Sequence, residues 1–125
     1  MGLDQYAYKI KKVVGLTDFD YSKGTVIDRD FDYWRKFYGL QVWAENLYRE
    51  KGGNKIHFNC VPLRLTEQDL DRLDRDMEED EFYEERYLET IGEEKQYEYR
   101  HLKDFIKNAK QALADGYAVY YDSWW

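Results

Sequence analysis

Two histidines and one cysteine are the side chains with the greatest potential for catalysis or metal binding. His57 and Cys60 form a His-x-x-Cys pair, whereas a structural zinc site needs about four ligands with a second clustered pair. Strand alternation would place these two on opposite faces, which also weakens a catalytic dyad. Glu98 and His101 form a single Glu-x-x-His motif, whereas a di-iron bundle uses two such motifs and two further glutamates. We therefore expect a buried thiol, an ordinary His57 and a solvated helix face around His101.

A second candidate is the segment 18–24, which begins like a calcium-binding loop. Its first, third and fifth positions are Asp18, Asp20 and Ser22. Its sixth and twelfth positions are Lys23 and Arg29, where that loop needs a glycine and a bidentate glutamate. The sequence also lacks a phosphate-binding glycine loop. We expect a turn here, no metal site, no cofactor, no catalytic residues and no enzymatic activity.

The acidic residues are concentrated in one part of the chain. There are 26 Asp and Glu against 19 Lys and Arg, a formal net charge of −7. Residues 67–94 contain 14 acids and three arginines, a net charge of −11, which leaves +4 for the remainder. Such a field repels nucleic acid and membrane surfaces and attracts basic protein surfaces. The sequence therefore predicts a protein partner with a basic surface, no direct nucleic-acid binding and no membrane binding.

The spacing of these acids allows a more specific hypothesis. If residues 67–94 are helical, they carry one acid per two residues, or roughly 3 Å of helix axis per charge, close to ~3.4 Å per charge on one DNA strand. Such a helix would offer a phosphate-like row to a nucleic-acid-binding protein. The alternative is a solvated helix whose acids keep the protein soluble, some of them paired with lysines of the remainder.

Aromatic residues give a further indication of binding. The chain has 13 Tyr, 4 Trp and 6 Phe, more than a 125-residue core easily encloses. Tyr and Trp are favoured at binding surfaces, although their hydroxyls also reach water from the edges of a core. The residues expected to contact the partner are Asp74, Glu78, Glu79, Asp80, Glu81, Tyr83, Glu84, Glu85 and Tyr87.

Hydrophobic periodicity and capping signals predict the elements. The segment 66–69 resembles a capping box, with Asp69 in the position usually held by Glu or Gln. In chain order the predicted elements are a strand over 5–14, a loop over 17–30, a helix from Asp30 or Asp32 to about Lys51, a strand over Ile56–Leu65, a helix from 66 to about Met77, a helix over 102–113 ended by Gly116, and a strand over Tyr117–Asp122.

These elements predict a single domain over 1–125 with a small α+β fold. We expect three strands in an antiparallel or mixed sheet, covered by two or three helices. The acidic residues would form a helical or partly ordered excursion at about 67–99. Packing is expected for the two terminal tryptophans, because burying two indoles is worth several kcal/mol.

The ends of the chain resemble a known group of sequences. The opening Met-Gly-Leu-Asp-Gln-Tyr at 1–6, Tyr-Trp-Arg-Lys at 33–36 and the aromatic close at 116–125 are similar to small uncharacterised proteins of tailed bacteriophages, including cyanophages. The segment 58–63 and the Thr-x-x-Asp-Leu at 66–70 also resemble that group. The chain departs from it over 78–99, which is acidic where the group often has a strand rich in Gly and Phe. The group has no established activity, so the resemblance implies no catalytic residues.

Together these observations predict a non-enzymatic phage accessory protein in the cytoplasm of an infected bacterium. It would bind a basic surface of a host protein stoichiometrically and inhibit host defence or nucleic-acid machinery. One alternative is a small-molecule or metal-dependent enzyme, or a ligand-binding domain. That alternative would use an aromatic pocket lined by Tyr6, Tyr8, Trp34, Tyr120 and Trp124. Another is a virion or assembly component that self-associates, as a homo-oligomer, through its aromatic termini.

Overall fold

The chain forms an α+β fold in which three helices pack on a four-stranded antiparallel sheet. The computed structural model of the protein describes residues 2–78 and 93–125. The sheet order is β2-β1-β4-β3, so β2 and β3 are the edges. The elements are β1 Asp4–Lys11, β2 Val26–Arg35, α1 Tyr38–Glu50, β3 Leu63–Leu65, α2 Glu67–Glu78, α3 Glu93–Ala114 and β4 Tyr117–Trp124.

Strand alternation divides the buried residues into two clusters on opposite faces of the sheet. On the helix-covered face, Ala7, Val119 and Tyr121 pack with the apolar stripes of all three helices. On the other face, Tyr8 and Tyr120 lie in a smaller cluster that no helix of the described residues covers. The main core therefore lies between the sheet and the helices, and the second face depends on loops for cover.

Two sequence signals correctly predicted where elements begin and end. The capping box at α2 is confirmed, because the Thr66 N–H donates to Asp69 Oδ2 (2.8 Å) and the Asp69 N–H donates to Thr66 Oγ1 (3.2 Å). Gly116 follows α3 with φ +91°, a conformation that suits glycine. The excursion expected at 67–99 is helical over 67–78 and from Glu93 onward.

The loop predicted over 17–30 is confirmed over 17–25 but wrong over 26–30, and the helix start predicted at Asp30 or Asp32 is wrong. Residues 26–35 form edge strand β2, and α1 begins only at Tyr38. The aspartates at 28, 30 and 32 alternate with Ile27, Phe31 and Tyr33, which is the period of a strand. Aspartate is rare in strands, but charged side chains on an edge strand oppose unwanted pairing with other chains. The sheet therefore has four strands where three were expected.

The strand predicted over Ile56–Leu65 is confirmed only at its end. Just Leu63–Leu65 pairs with β4, and Ile56 is 87% exposed. Cys60 has φ +57°, and its N–H donates to the carbonyl of Ser123 (2.7 Å), so the chain turns there and does not extend. Pro62 follows, and its missing donor also opposes pairing before β3.

A buried glutamine joins the two central strands to the start of α1. Gln5 is fully buried, and its amide donates to the carbonyl of Phe37 (2.9 Å) and to the Tyr121 hydroxyl (2.9 Å). Its Oε1 accepts from the Phe37 N–H (2.8 Å). The Tyr121 hydroxyl donates in turn to Gln41 in α1 (2.6 Å). This network, absent from the local sequence pattern, fixes where α1 begins.

We predict that Gln5→Leu destabilises the fold by about 2 kcal/mol, because it leaves the buried Phe37 N–H without an acceptor. Urea denaturation followed by circular dichroism measures the loss. The control variant is Gln111→Leu, with an expected change in the free energy of unfolding below ~0.5 kcal/mol. Gln111 is exposed, and its side chain bonds Asp115 in the turn that follows α3. Equal losses in the two variants would show that the network does not stabilise the fold.

Candidate functional site

The predicted acidic contact residues are described only in part. Asp74 and Glu78 lie on α2, and both accept hydrogen bonds from Lys103 of α3, with Glu78 at 2.5 Å. Burial lowers the pKa of Lys103, but these two carboxylates outweigh that effect and hold it above its ordinary value. Glu79, Asp80, Glu81, Tyr83, Glu84, Glu85 and Tyr87 lie outside the described residues.

Three other acids of α2 are also paired with neighbouring elements. Asp69 bonds Lys51 at the end of α1 (2.5 Å), and Asp71 bonds Lys110 on α3 (2.5 Å). Asp76 accepts from the Trp43 indole N–H (3.0 Å) on α1. The exposed Asp71–Lys110 pair is worth at most about 1 kcal/mol, whereas both side chains of the Asp69–Lys51 pair are largely buried. Over 67–78 the acids therefore hold α2 against α1 and α3, and less of their charge is left for a partner than the sequence suggests.

The five residues of the expected aromatic pocket do not line one pocket. Trp34 is buried on the helix-covered face, where its ring packs on Phe105 with centroids 4.8 Å apart. Tyr6, Tyr8, Tyr120 and Trp124 lie on the opposite face. The reason is the strand period, since Trp34 and Tyr33 are neighbours on β2 and so point to opposite sides. The prediction that these five residues line one pocket is therefore wrong.

Three aromatic side chains form a surface on the sheet face that no described helix covers: Tyr6, Tyr33 and Trp124. We call this surface the aromatic platform. Tyr6 lies between the other two rings, with centroids 5.3 Å from Tyr33 and 6.1 Å from Trp124. Tyr33 is 45% exposed and Trp124 is 54% exposed. The Tyr33 hydroxyl donates to Asp4 Oδ1 (2.6 Å), which fixes that ring in place. The platform joins strands β2, β1 and β4.

The remainder of this face is covered by the loop between β1 and β2. The Tyr120 hydroxyl donates to the carbonyl of Thr17 (2.5 Å), and Tyr21 packs on Tyr120 with centroids 5.3 Å apart. A Cβ on Gly24 would lie 2.7 Å from Ile10, so the loop approaches the sheet closely at its far end. Loop cover at one end and exposed rings at the other make the platform a distinct patch.

A buried carboxyl group lies next to the platform. Asp122 pairs with Tyr6 across β1 and β4 and is only 7% exposed. Burial raises its pKa from 3.8 to about 6, and hydrogen bonds from the Ser123 N–H and the Trp124 side chain oppose the shift. Burial also raises the pKa of Tyr8 to about 12, with a further contribution from the Asp122 charge. The edge of the platform therefore carries a carboxyl group that loses its proton near neutral pH.

Two expectations about His and Cys side chains are wrong. Cys60 is exposed because its turn points away from the core, so it is not a buried thiol. His101 is only partly exposed, and its Nε2 lies 2.6 Å from Asp32 Oδ1 on β2, so it is not on a solvated face. The Glu-x-x-His spacing marked His101 but gave no sign of Asp32. Among residues 2–78 and 93–125, no three His, Cys, Asp or Glu side chains could share a metal ion.

Comparisons with models of protein families, with curated proteins and with solved structures found nothing that matches the chain. Among the described residues, no helix has both the length and the apolar composition needed to cross a bilayer.

We predict that Asp122→Asn stabilises the protein at about pH 8 by about 1–2 kcal/mol and that this gain shrinks toward about pH 4.5. The folded state keeps the carboxyl protonated up to about pH 6, whereas the unfolded chain loses the proton near 3.8. The free energy of unfolding of the native protein therefore falls as the pH rises between these two pKa values, and it does not recover at higher pH.

Urea denaturation at several pH values measures this effect. Asp30→Asn removes the same formal charge from an exposed position on β2 and controls for net charge. A gain for Asp122→Asn that does not change with pH would contradict the assignment of a buried, neutral carboxyl.

Proposed function

We propose that the protein is a non-enzymatic accessory protein that binds a host protein with a basic surface and uses the aromatic platform as the centre of its contact. The observation that carries the proposal is the exposure of Tyr33 and Trp124, in contact with Tyr6, on a sheet face that no helix of the described residues covers. Buried aromatic anchors supply most of the binding energy at protein interfaces. Exposed rings already held in place lose little entropy when a partner covers them.

A basic partner suits the chemistry around the platform. Arginine and lysine stack on the faces of Trp and Tyr rings, and such contacts are worth ~0.5–2 kcal/mol. Asp4, which accepts the Tyr33 hydroxyl, and Asp122, beside Tyr6, are carboxyl groups at the same patch. Arg35 is the register partner of Asp4 in the pairing of β1 with β2, and it is a basic residue at the same edge of the platform. The net charge of −7 favours approach of a basic surface over an acidic one.

Helix α3 connects the end of the acidic segment to the cleft beside the platform. Tyr97 and Tyr33 line the same cleft, and residue 94, the end of the acidic segment, precedes Tyr97 by three residues of helix, or roughly 5 Å. Helix α3 therefore begins near the Tyr33 edge of the platform. We propose one composite contact surface made of the aromatic platform and the acids at 79–85.

The biological setting rests on the resemblance of the chain to proteins of tailed bacteriophages. In that setting the host protein would belong to a defence system or to the nucleic-acid machinery, in the cytoplasm of an infected bacterium. A row of acidic side chains suits a surface that attracts the phosphates of nucleic acid. We propose inhibition by occupancy, with no chemical turnover.

One observation favours a second candidate function. Trp124 and the terminal Trp125, which is 45% exposed, present two indoles at the end of β4. A homo-oligomer formed through these rings would cover the platform with a second copy of the chain. Sedimentation velocity over a range of concentrations separates the two candidates, because only self-association makes the sedimentation coefficient rise with concentration.

We predict that the double variant Tyr33→Ser, Trp124→Ser loses at least about tenfold in capture of the host partner, because both exposed rings are removed. Affinity capture from host lysate, quantified by mass spectrometry at low and raised salt, measures the loss. Charge reversal at Glu79, Asp80 and Glu81 is expected to weaken capture mainly at low salt.

The control is Ile56→Ser, which removes an exposed apolar side chain far from the platform in the sequence and outside the sheet. This variant is expected to capture the partner as well as the native protein does. A partner retained equally by the double variant and by Ile56→Ser would overturn the proposed contact surface.

A further inference from the structure

The molecule has a cleft where the end of β2 meets the first turns of α3. Its volume is about 520 Å³, and its lining includes Trp34, Arg35, Tyr97, Glu98 and His101. Sites for small organic ligands range over ~300–1,000 Å³ and combine apolar walls with a few polar groups. The cleft has that size and composition, and Tyr33 of the platform also lines it.

His101 enters the cleft with one ring nitrogen engaged. Nε2 lies 2.6 Å from Asp32 Oδ1, and this hydrogen bond raises the pKa of His101 despite partial burial. The ring stacks on Trp34 with centroids 5.3 Å apart and meets Tyr97 edge-on at 5.9 Å. Within the described part of the chain, Nδ1 has no hydrogen-bond partner. The imidazolium form therefore has one N–H donor to spare.

Trp34 supplies a second unused donor. The side chain is 4% exposed, and its indole Nε1 has no acceptor among the described residues. An unpaired buried donor costs about 1–3 kcal/mol and is rare in native proteins. Because the Trp34 ring also lines the cleft, an acceptor atom on a ligand would remove that cost once the ring adjusts.

Arg35 supplies a third unused donor at the rim. Its side chain is exposed, and no ion pair joins it to the described side chains of 2–78 and 97–125. The acidic groups around His101 are Asp32 on β2 and Glu98 and Asp104 on α3. Asp32 is engaged with His101, and Glu98 already makes an interaction of its own. The uncommitted groups at the cleft are therefore mainly donors, and one of them carries a fixed positive charge.

We propose that this cleft binds a small organic anion, a planar apolar body that bears a carboxylate or phosphate group. The oxyanion accepts hydrogen bonds from Arg35, from His101 Nδ1–H and from the Trp34 indole N–H. Guanidinium and imidazolium donors make charge-assisted hydrogen bonds, which are stronger than neutral ones. The planar body packs against the rings of Trp34 and Tyr97. The cleft borders the proposed protein contact at Tyr33, but its donors are those of Arg35, His101 and Trp34, not the exposed rings of Tyr33 and Trp124.

The test is an NMR titration of the full-length 15N-labelled protein, because the Trp34 indole N–H gives its own signal. The probes are benzoate, phenyl phosphate, inorganic phosphate, benzyl alcohol and benzylamine. We expect benzoate or phenyl phosphate to move the Trp34 indole signal downfield, as a new hydrogen bond does. Benzyl alcohol and inorganic phosphate are expected to bind at least about tenfold more weakly, since each lacks half of the recognised chemistry.

Variants separate the oxyanion contact from simple packing. Arg35→Ala is expected to weaken binding of the anionic probe about tenfold, which is equivalent to ~1.4 kcal/mol, whereas Arg29→Ala, on the same strand and also exposed, leaves it unchanged. His101→Gln keeps a donor but removes the charge, so binding should weaken and lose its pH dependence. In the native protein, affinity should fall as the pH rises through the pKa of His101.

Three results would overturn the proposal. One is tighter binding of benzylamine than of benzoate, which would indicate a site for cations. The second is binding of inorganic phosphate as strong as that of phenyl phosphate, which would indicate an adventitious ion only. The third is a Trp34 indole signal that does not move with any probe at millimolar concentration. The spectrum of each variant reports its folding in the same experiment.

Discussion

The structure depends on one constraint: three helices cover one face of the sheet, and strand geometry sends every second side chain to the other face. On β1 and β4 those residues include Tyr6, Tyr8, Tyr120 and Trp124. Apolar rings on such a face must be covered by loops, exposed to water or covered by another molecule. The loop between β1 and β2 covers Tyr8 and Tyr120, and the rings at the other end remain exposed.

The same constraint explains why the acids and the aromatics have different roles in the described residues. The acids of α2 lie on a helix that must pack beside α1 and α3, and lysines from both helices meet them. Several of the acids on α2 therefore help to hold that helix against its neighbours as well as adding negative charge to the surface. The exposed rings of Tyr33 and Trp124 have no such structural requirement, so they are the stronger sign of a binding surface.

The parts of the fold that local sequence determines were predictable, and the parts that distant contacts determine were not. Thr66 and Asp69 are three residues apart, so their capping box could be recognised from spacing alone. The start of α1 depends on Gln5, which is 32 residues from Phe37, and no local pattern reveals that contact. Strand β2 was missed because its aspartates resemble helix caps, although their period of two is that of a strand.

The candidate sites also combine features that local sequence indicates with contacts between distant residues, which it does not. The two terminal tryptophans were expected to pack but are 54% and 45% exposed, and Trp34 was grouped with rings that lie on the opposite face. His101 was recognised by its spacing from Glu98, whereas its true partner, Asp32, is 69 residues away on β2. Long-range pairing of this kind is set by the topology of the sheet, which hydrophobic periodicity does not specify.

Hydroxyl-radical footprinting of the free protein, read out by mass spectrometry at single side chains, tests the central claim most directly. Oxidation depends on solvent access, so Tyr33 and Trp124 should react readily, while Trp34 and Tyr121 in the core stay protected. The pattern should hold in dilute solution, where self-association is absent. Protection of Tyr33 and Trp124 to the level of Tyr121 would show that this sheet face is covered within the monomer, and the platform would not exist.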